Sequence, residues 1–411
     1  MEPACGKAFL VVLLLSITGA PGAAQRNDRL ADGDRLLTGK PDVLYAIGAA
    51  EGEDWELLSG VRQVAFDRND NLYVLDAGNH RVLAFGTDGR FVRQIGRHGR
   101  GPGEFRQPIG LAITTDARLV VADAGRAAHV VFDLNGVHLR DLAWDRELGS
   151  PAWGDGGAAE VTLLAHPHGG VVMRTNLNIT APDAAVSGPA RATSRLVWHR
   201  MDGTQTTLFE MPQPGPFPAW VSPSYVAFSA FTPPVVWGLL PGGSAVASWE
   251  AGYAIHVADR PGRIERTIGR PLTPRPVTET DREQARELRR AAMDPGDTNT
   301  PAKPGQQIAA SRSMQDRIQQ AIRDMTFAPV IPVIEHLYTD PLGQLWIQRP
   351  GRRVGEPGPI DLVMGDGRYI GTLVGEHLPN AVSPSGRAAH VERDANDIQR
   401  VVVSKVPENW K

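Results

Sequence analysis

Histidines are the first groups in this chain whose chemistry could amount to a site. His80, His129, His256, His336 and His390 lie in different segments, and three imidazoles brought together could hold zinc with a fourth position open for water. Their settings are not equivalent. His80 stands at a corner, His129 and His256 fall in third strands of their local units, His336 starts a first strand and His390 lies in a second. Such scatter points to separate surface or packing roles, and no His-x-x-x-His or Cys-based set argues for a metal, so neither metal nor cofactor is expected. Asp67-Arg68-Asn69-Asp70-Asn71 opens like a calcium loop, but Leu72 stands where Gly is required and Gly78 where a bidentate Glu belongs, so it reads as a hairpin turn. Arg97-His98-Gly99-Arg100-Gly101-Pro102-Gly103 could offer guanidinium forks and bare amides to an anion. Its spacing is neither a P-loop nor a dinucleotide fingerprint. No Gly-x-Ser-x-Gly elbow and no Ser, His and carboxylate set stands out, so no catalytic residue is assigned.

These residues depend on a repeat for their placement. Asp76, Phe85 and Gly89 recur at one constant offset as Asp123, Phe132 and Gly136. Leu72-Tyr73-Val74-Leu75-Asp76 matches Leu119-Val120-Val121-Ala122-Asp123, and both runs have the content of buried strands. Two sets of turns extend the pattern. Asp88-Gly89, Asn135-Gly136, Asp202-Gly203, Pro261-Gly262 and Asp366-Gly367 sit between strand-like runs. Ahead of them come Asn69-Asp70-Asn71, Thr115-Asp116-Ala117, Pro167-His168-Gly169, Pro241-Gly242-Gly243, Pro341-Leu342-Gly343 and Pro384-Ser385-Gly386. The result is six units of four strands. The last unit lacks its fourth strand, and Val43 to Gly48 at the other end of the chain ends in the Ile-Gly pair that closes other units. An all-β, six-bladed β-propeller closed by an N-terminal strand accounts for all of this, since ring closure removes open sheet edges.

Asp76-Ala77-Gly78-Asn79-His80-Arg81-Val82-Leu83-Ala84-Phe85, followed by Ile95-Gly96 and Gly101-Pro102-Gly103-Glu104-Phe105, resembles the NHL-repeat family of six-bladed propellers. The resemblance is strong over 61–145, and unit two carries Arg126-Ala127-Ala128 where the family has Asn-His-Arg. It implies that 97–103 is an ordinary link between blades. It also implies a fold while leaving activity open, because the family spans secreted bacterial proteins, protein- and RNA-binding modules and a metal-dependent lyase.

The chain is longer than its repeats require, and the surplus falls on one face. Strands alternate in direction within a blade, so the corner between strands two and three and the link to the next blade leave on the same side. The long link Arg270 to Pro332, the corner Thr175 to Ser194 and the corner Arg349 to Pro359 all belong there. Residues 277–328, between blades four and five, form a helical insertion. Thr280 and Glu283 suggest a capping box for a helix over Arg282 to Ala292, stopped by Asp294-Pro295-Gly296. A second helix over Ser313 to Met325 places Met314, Ile318, Ala321, Ile322 and Met325 on one stripe. Corner residues Asp76, His80, Asp123, Arg126, Arg174, Asn176, Trp249, Glu250, Arg349, Glu392 and Arg393 would ring the mouth on that face, a setting suited to a polar ligand or peptide.

Composition limits the functional classes. The chain has 411 residues, 42% hydrophobic and 22% charged, with a single Cys and a net charge of −3. This excludes a disordered tail and a disulfide-stapled miniprotein, and it weighs against nucleic-acid binding. Residues 1–24, with the apolar run Ala8 to Ile17 and Gly22-Ala23-Ala24, read as a signal peptide, so a secreted or periplasmic protein without a membrane span is expected. Residues 25–42 form a leader and 43–411 the propeller. The function expected is an exported, non-enzymatic propeller that binds a protein, peptide or glycan through the elaborated face. The alternative is a metal-dependent lyase or lactone hydrolase at the channel mouth.

Overall fold

The computed structural model describes residues 26–145, 147, 150–151, 162–177, 193–212, 219–221, 226–260, 262–293 and 312–411. Blade one is the antiparallel sheet Val61–Phe66, Leu72–Asp76, Arg81–Phe85 and Phe91–Ile95. Blade two repeats it with Pro108–Ile113, Arg118–Asp123, Ala128–Asp133 and His138–Ala143. Blade three runs from Leu163–Ala165 to Gln205–Pro212, blade four from Val236–Leu239 to Arg263–Gly269, and blade five from His336–Thr339 to Tyr369–Leu373. Blade six takes Ala381–Val382, Arg387–Arg393 and Gln399–Lys405 from the C-terminal end, and Asp42–Ile47 supplies its outer strand. Closure by an N-terminal strand is therefore observed.

The continuous apolar runs follow from burial on both sides. Leu72 and Val74 pack into the cleft with blade six, beside Ala389, Val401 and Val403. Tyr73 and Leu75, pointing the other way, pack against Leu111, Leu119 and Val121 of blade two. Outer strands are half solvated, as the exposed Val92 and Leu139 show. Every cleft around the ring holds such a cluster, including Met173 with Val120, Phe209 with Ala247, Ile255 with Ile347, and Leu362 with Val382.

Both sets of expected turns appear, with positive φ where the chemistry requires it. Gly89, Gly136, Gly203, Gly262 and Gly367 lie at φ 74 to 93°, and the earlier turn of each blade places Asp70, Ala117, Gly169, Gly243, Gly343 or Gly386 in the same region. Pro261 lies outside the described residues. Asp67 accepts hydrogen bonds from Asn69 N (2.8 Å) and Asn71 N (3.0 Å), which makes the calcium-like stretch a side-chain-capped hairpin turn.

The helical insertion departs in detail from its expected bounds. Helix α1 spans Glu279–Ala292 and is capped by Thr278 with Asp281, not by Thr280 with Glu283. Asp281 wins because it serves two masters: it accepts from Thr278 N (2.9 Å) and takes both Arg275 guanidinium nitrogens at 2.7 Å. Helix α2 spans Arg312–Arg323, so Met325 lies beyond it, yet Met325 is buried with Ala321 and Ile322 as the stripe implied. The stop at 294–296, most of the corner 175–194 and the segment 1–24 lie outside the described residues.

The leader makes a structure that the sequence did not announce. Arg26–Arg29 adds in parallel to Arg263–Gly269 on the outer edge of blade four. Leu36 then bridges in parallel to Thr372 on blade five, and Asp42–Ile47 completes blade six. This strap is bolted by an ion cluster built on the buried pair Arg270 and Asp361. Arg270 donates to Asp361 (2.9 Å), to Asp34 (2.8 Å) and to the carbonyls of Ala31 (2.9 Å) and Gly33 (2.7 Å). Arg349 reaches the other oxygen of Asp34 at 2.8 Å.

Candidate ligand-binding mouth

The corner aspartates that carry the repeat hold the chain together. Asp76 is fully buried and accepts from Ser59 N (2.9 Å), Asn79 Nδ2 (2.8 Å) and Arg81 Nε (2.9 Å). Arg81 also meets Asp54 and donates to Leu57 O at 3.1 Å. One repeat later, the equally buried Asp123 accepts from Arg106 N (2.7 Å), Gln107 N (3.0 Å) and Arg126 N (3.1 Å). Each aspartate thus clamps the link that enters its own blade, and the conserved offset between them is an offset between clamps. Arg126 pairs with Asp141 and donates to Arg100 O and Gly101 O at 3.2 Å, so the basic, glycine-rich stretch is tied down as an interblade link.

Other corner residues are similarly engaged. Arg174 is buried and donates to Val235 O at 2.9 Å, and Asn176 accepts from Ser194 Oγ at 2.7 Å. Arg349 belongs to the strap cluster. His80 sits edge-on to His98 with centroids 4.6 Å apart. Trp249 stacks on His256 at 4.3 Å, and Glu250 meets His256 Nε2 at 3.0 Å. Buried Asp76, Asp123, Arg174 and Asn176 cannot present their side chains to a ligand, which narrows the expected ring of exposed corner groups to part of itself.

Glu392 and Arg393 are placed differently. They line a cavity of about 730 Å³ with residues drawn from the starts of first strands, where sequence reading placed no site. Arg62 comes from blade one, Leu164 from blade three, Trp237 from blade four, and His336 and Tyr338 from blade five. Blade six adds His377 and Asn380 from its entering link, and His390 from its second strand. All these positions lie toward the end of the ring where links enter and corners turn, so the cavity opens on the elaborated face. His336 and His390, assigned separate roles from their unlike positions, line the same cavity as His377. Blade-to-blade rotation brings the start of one strand beside the end of another, a juxtaposition that strand position alone does not reveal. His390 is held below the usual imidazole range by burial, and its Nε2 lies 3.3 Å from His377 O. No group of three or more His, Cys, Asp or Glu among the described residues is arranged to hold a metal ion.

The innermost strands bare one backbone edge to the channel, and side chains cap it. Gln63 Oε1 accepts from Leu111 N (3.0 Å) and Leu163 N (3.2 Å), tying blade one to blades two and three. Thr339 Oγ1 accepts from Leu239 N (3.1 Å), and Tyr338 OH accepts from Val382 N (2.7 Å).

The insertion is anchored on the same face. Ile322, Ala321 and Met325 pack with Ala285 of α1 and Phe228 of the link before blade four. Phe327 pairs in parallel with that link through Thr326–Phe327, and Arg286 lies over its ring at 5.0 Å. The blade-five corner joins through Val354, whose N–H donates to Gln284 Oε1 at 3.3 Å. Two links and a corner, elaborated separately in sequence, thus form one cap.

Residues 51–147 match a family model described as a 6-bladed beta-propeller, and the chain forms six four-stranded blades in a closed ring. The chain is a six-bladed β-propeller, similar over 51–147 to that family. Over 92 residues it is 34% identical to the RING finger protein nhl-1 of Caenorhabditis elegans, which amounts to 22% of this propeller chain and 9% of that protein. This chain therefore spans less than a tenth of that relative's length. Among solved structures, it is similar to a candidate exported protein of Bacteroides fragilis, at 13% identity and a TM-score of 0.46, covering 93% of this chain and 98% of that one. A member of the DUF4221 family from Bacteroides vulgatus gives 10% identity and a TM-score of 0.45, with 89% and 98% covered. A gluconolactonase of Xanthomonas campestris gives 12% and 0.42, with 85% and 87% covered. No helix among the described residues is long and apolar enough to cross a membrane.

Proposed function

We propose that this NHL-like propeller is an exported, non-enzymatic binding protein that takes a protein, peptide or glycan at the mouth of its elaborated face. The observation that carries the reading is the coincidence on one face of a cavity of about 730 Å³ and the cap built from two links and a corner. A cavity of this size lies within the range of ligand pockets, and long ordered loops on a rigid scaffold commonly serve recognition. Glu392 and Arg393 are the corner residues best placed to take part.

Hydrogen–deuterium exchange against a panel of peptides and glycans tests the reading. Ligand-induced protection is expected in 336–348 and 377–393. Protection confined to the opposite turns, such as 67–71 and 340–343, would sink it. Stoichiometric zinc or calcium in the purified protein would instead favour the metal-dependent lyase or lactone hydrolase.

A further inference from the structure

We propose that the outer rim of blades four and five is a peptide groove, which the strap fills in cis and which accepts an extended segment of another protein carrying Leu-x-x-x-Asp-x-x-Leu. Arg270, Arg349 and Asp361, its polar centre, do not line the mouth cavity, so this is a second surface.

The strap engages the rim as a bound peptide engages a sheet edge. Arg26–Arg29 lies in parallel register on Arg263–Gly269, Leu30 N donates to Gly269 O (2.8 Å), and Arg270 donates to the carbonyls of Ala31 and Gly33. Over blade five the backbone is held again: Thr372 N donates to Arg35 O (2.7 Å) and Leu37 N donates to Thr372 O (2.9 Å). Main-chain contacts of this kind give affinity with little regard to sequence, so selectivity must come from side chains. Three of them are received. Leu30 joins the buried cluster of Tyr253, Ile255 and Ile268. Asp34 lies between the guanidiniums of Arg270 and Arg349, at 2.8 Å from each. Leu37 fills the space left by the missing side chain of Gly371 and packs on the cluster of Ile370 and Leu373. The spacing of these three residues is the proposed pattern.

The blades supply the buried side of this contact, and the strap supplies the exposed side. Arg270 has a fully buried side chain, whereas every strap residue from Ala31 to Leu36 is exposed and Leu30 is the one buried residue of 26–37. A segment that buries so little apolar surface opens ahead of the fold it lies on. Its seat is also unsaturated: Arg349 meets Asp34 through Nη2, and its buried Nε has no hydrogen-bond partner among the described residues. With the strap lifted, Asp361 is the carboxylate left paired with both guanidiniums among the described residues, at 2.9 Å from Arg270 and 3.4 Å from Arg349. That excess of positive charge calls for an anion, and a guanidinium takes a carboxylate best.

Fluorescence anisotropy with a labelled peptide spanning 26–41 tests this on the full chain. The tethered strap competes at a millimolar effective concentration, so the peptide is expected to bind the Asp34→Ala chain at least about tenfold more tightly than the parent chain. An alanine- and glutamine-based peptide that keeps only the two leucines and the aspartate of the pattern is expected to bind the Asp34→Ala chain within about threefold of the strap peptide. The same peptide with asparagine for the aspartate should bind about tenfold more weakly. Adding Arg349→Gln to the Asp34→Ala chain should erase that difference between the two peptides. Melting curves accompany each chain, and Asp34→Asn, which keeps the size of the side chain, takes the place of Asp34→Ala if the latter unfolds. Equal binding by the parent and Asp34→Ala chains places the peptide elsewhere. Equal binding of the aspartate and asparagine peptides removes the carboxylate seat, and no binding of the pattern peptide removes the partner. Any one of these results overturns the proposal and returns the strap to a purely structural clasp.

Discussion

Asp76 fixes three donors in a site closed to water, and one of them is the guanidinium of Arg81, itself buried. Removing the carboxylate leaves that cation without its inner partner, so Asp76→Ala should cost about 3–5 kcal/mol, read as a fall in the urea midpoint. The same variant should leave ligand affinity at the mouth unchanged in whatever fraction stays folded. A second residue-scale expectation concerns acid. Burial drives His129 well below the ordinary imidazole range and His199 to about 4, and the two rings meet edge-on with centroids 4.5 Å apart. Both nitrogens of His129 lack a hydrogen-bond partner among the described residues. Above pH 6.5 these rings are neutral whether the chain is folded or not, and they do not affect stability. Between 6.5 and about 4 the unfolded chain binds protons that the folded one refuses, so stability falls as pH falls, by on the order of 3 kcal/mol for His199. Glu335, pushed up to about 6 by burial, acts in the opposite sense and weakens the fold as pH rises from 4.5 through 6. Urea titrations at pH 7, 5.5 and 4.5 should therefore show a slope that His199→Phe flattens; an unchanged slope would discard the assignment. Residue type showed neither effect in advance. An aspartate at a corner looks the same whether it faces solvent or clamps a link, and Arg62, Trp237 and His377 have no spacing that marks them as neighbours.

Elements were more legible than residues wherever a periodicity or a glycine betrayed them. Turns with positive φ and the apolar stripe of α2 were visible because their physics is local. The strap was not, since Arg26-Asn27-Asp28-Arg29 has no alternation of apolar residues and gains its strand form only from the edge it meets. Its security depends on Asp34, which joins Arg270 to Arg349. Asp34→Ala should loosen the strap while the blades stay intact, giving about tenfold faster protease cleavage within 26–41 and little change in far-ultraviolet circular dichroism. Cleavage rates equal to the parent's would show that strand pairing alone holds the strap. Arg270→Met is a harsher change, because it takes from buried Asp361 its nearest cation and leaves only Arg349 at 3.4 Å, and it should destabilise by about 3–5 kcal/mol in urea.

At the scale of the molecule, stability resides between blades. Each cluster in a cleft of the ring belongs to two neighbouring blades, so an open ring would bare a cleft on each side of the gap. A chain beginning at Gly48 lacks the outer strand of blade six and should lose its cooperative melt. One beginning at Lys40 keeps that strand and should melt as a single transition at lower temperature. Equal melts from the two would place closure elsewhere. The repeat made the ring readable because alternation and turns recur, whereas the cap and the mouth arise from contacts between segments that no repeat relates. The placing of the closing strand also bears on the order in which the protein can be made. Asp42–Ile47 is among the first parts of the ring to leave the ribosome, and its partner Gln399–Lys405 is among the last. Trp410, which donates to Thr38 O at 3.0 Å, comes later still. Five blades can assemble during synthesis while Asp42–Ile47 waits unpaired, so closure of the ring is timed by the arrival of Gln399–Lys405.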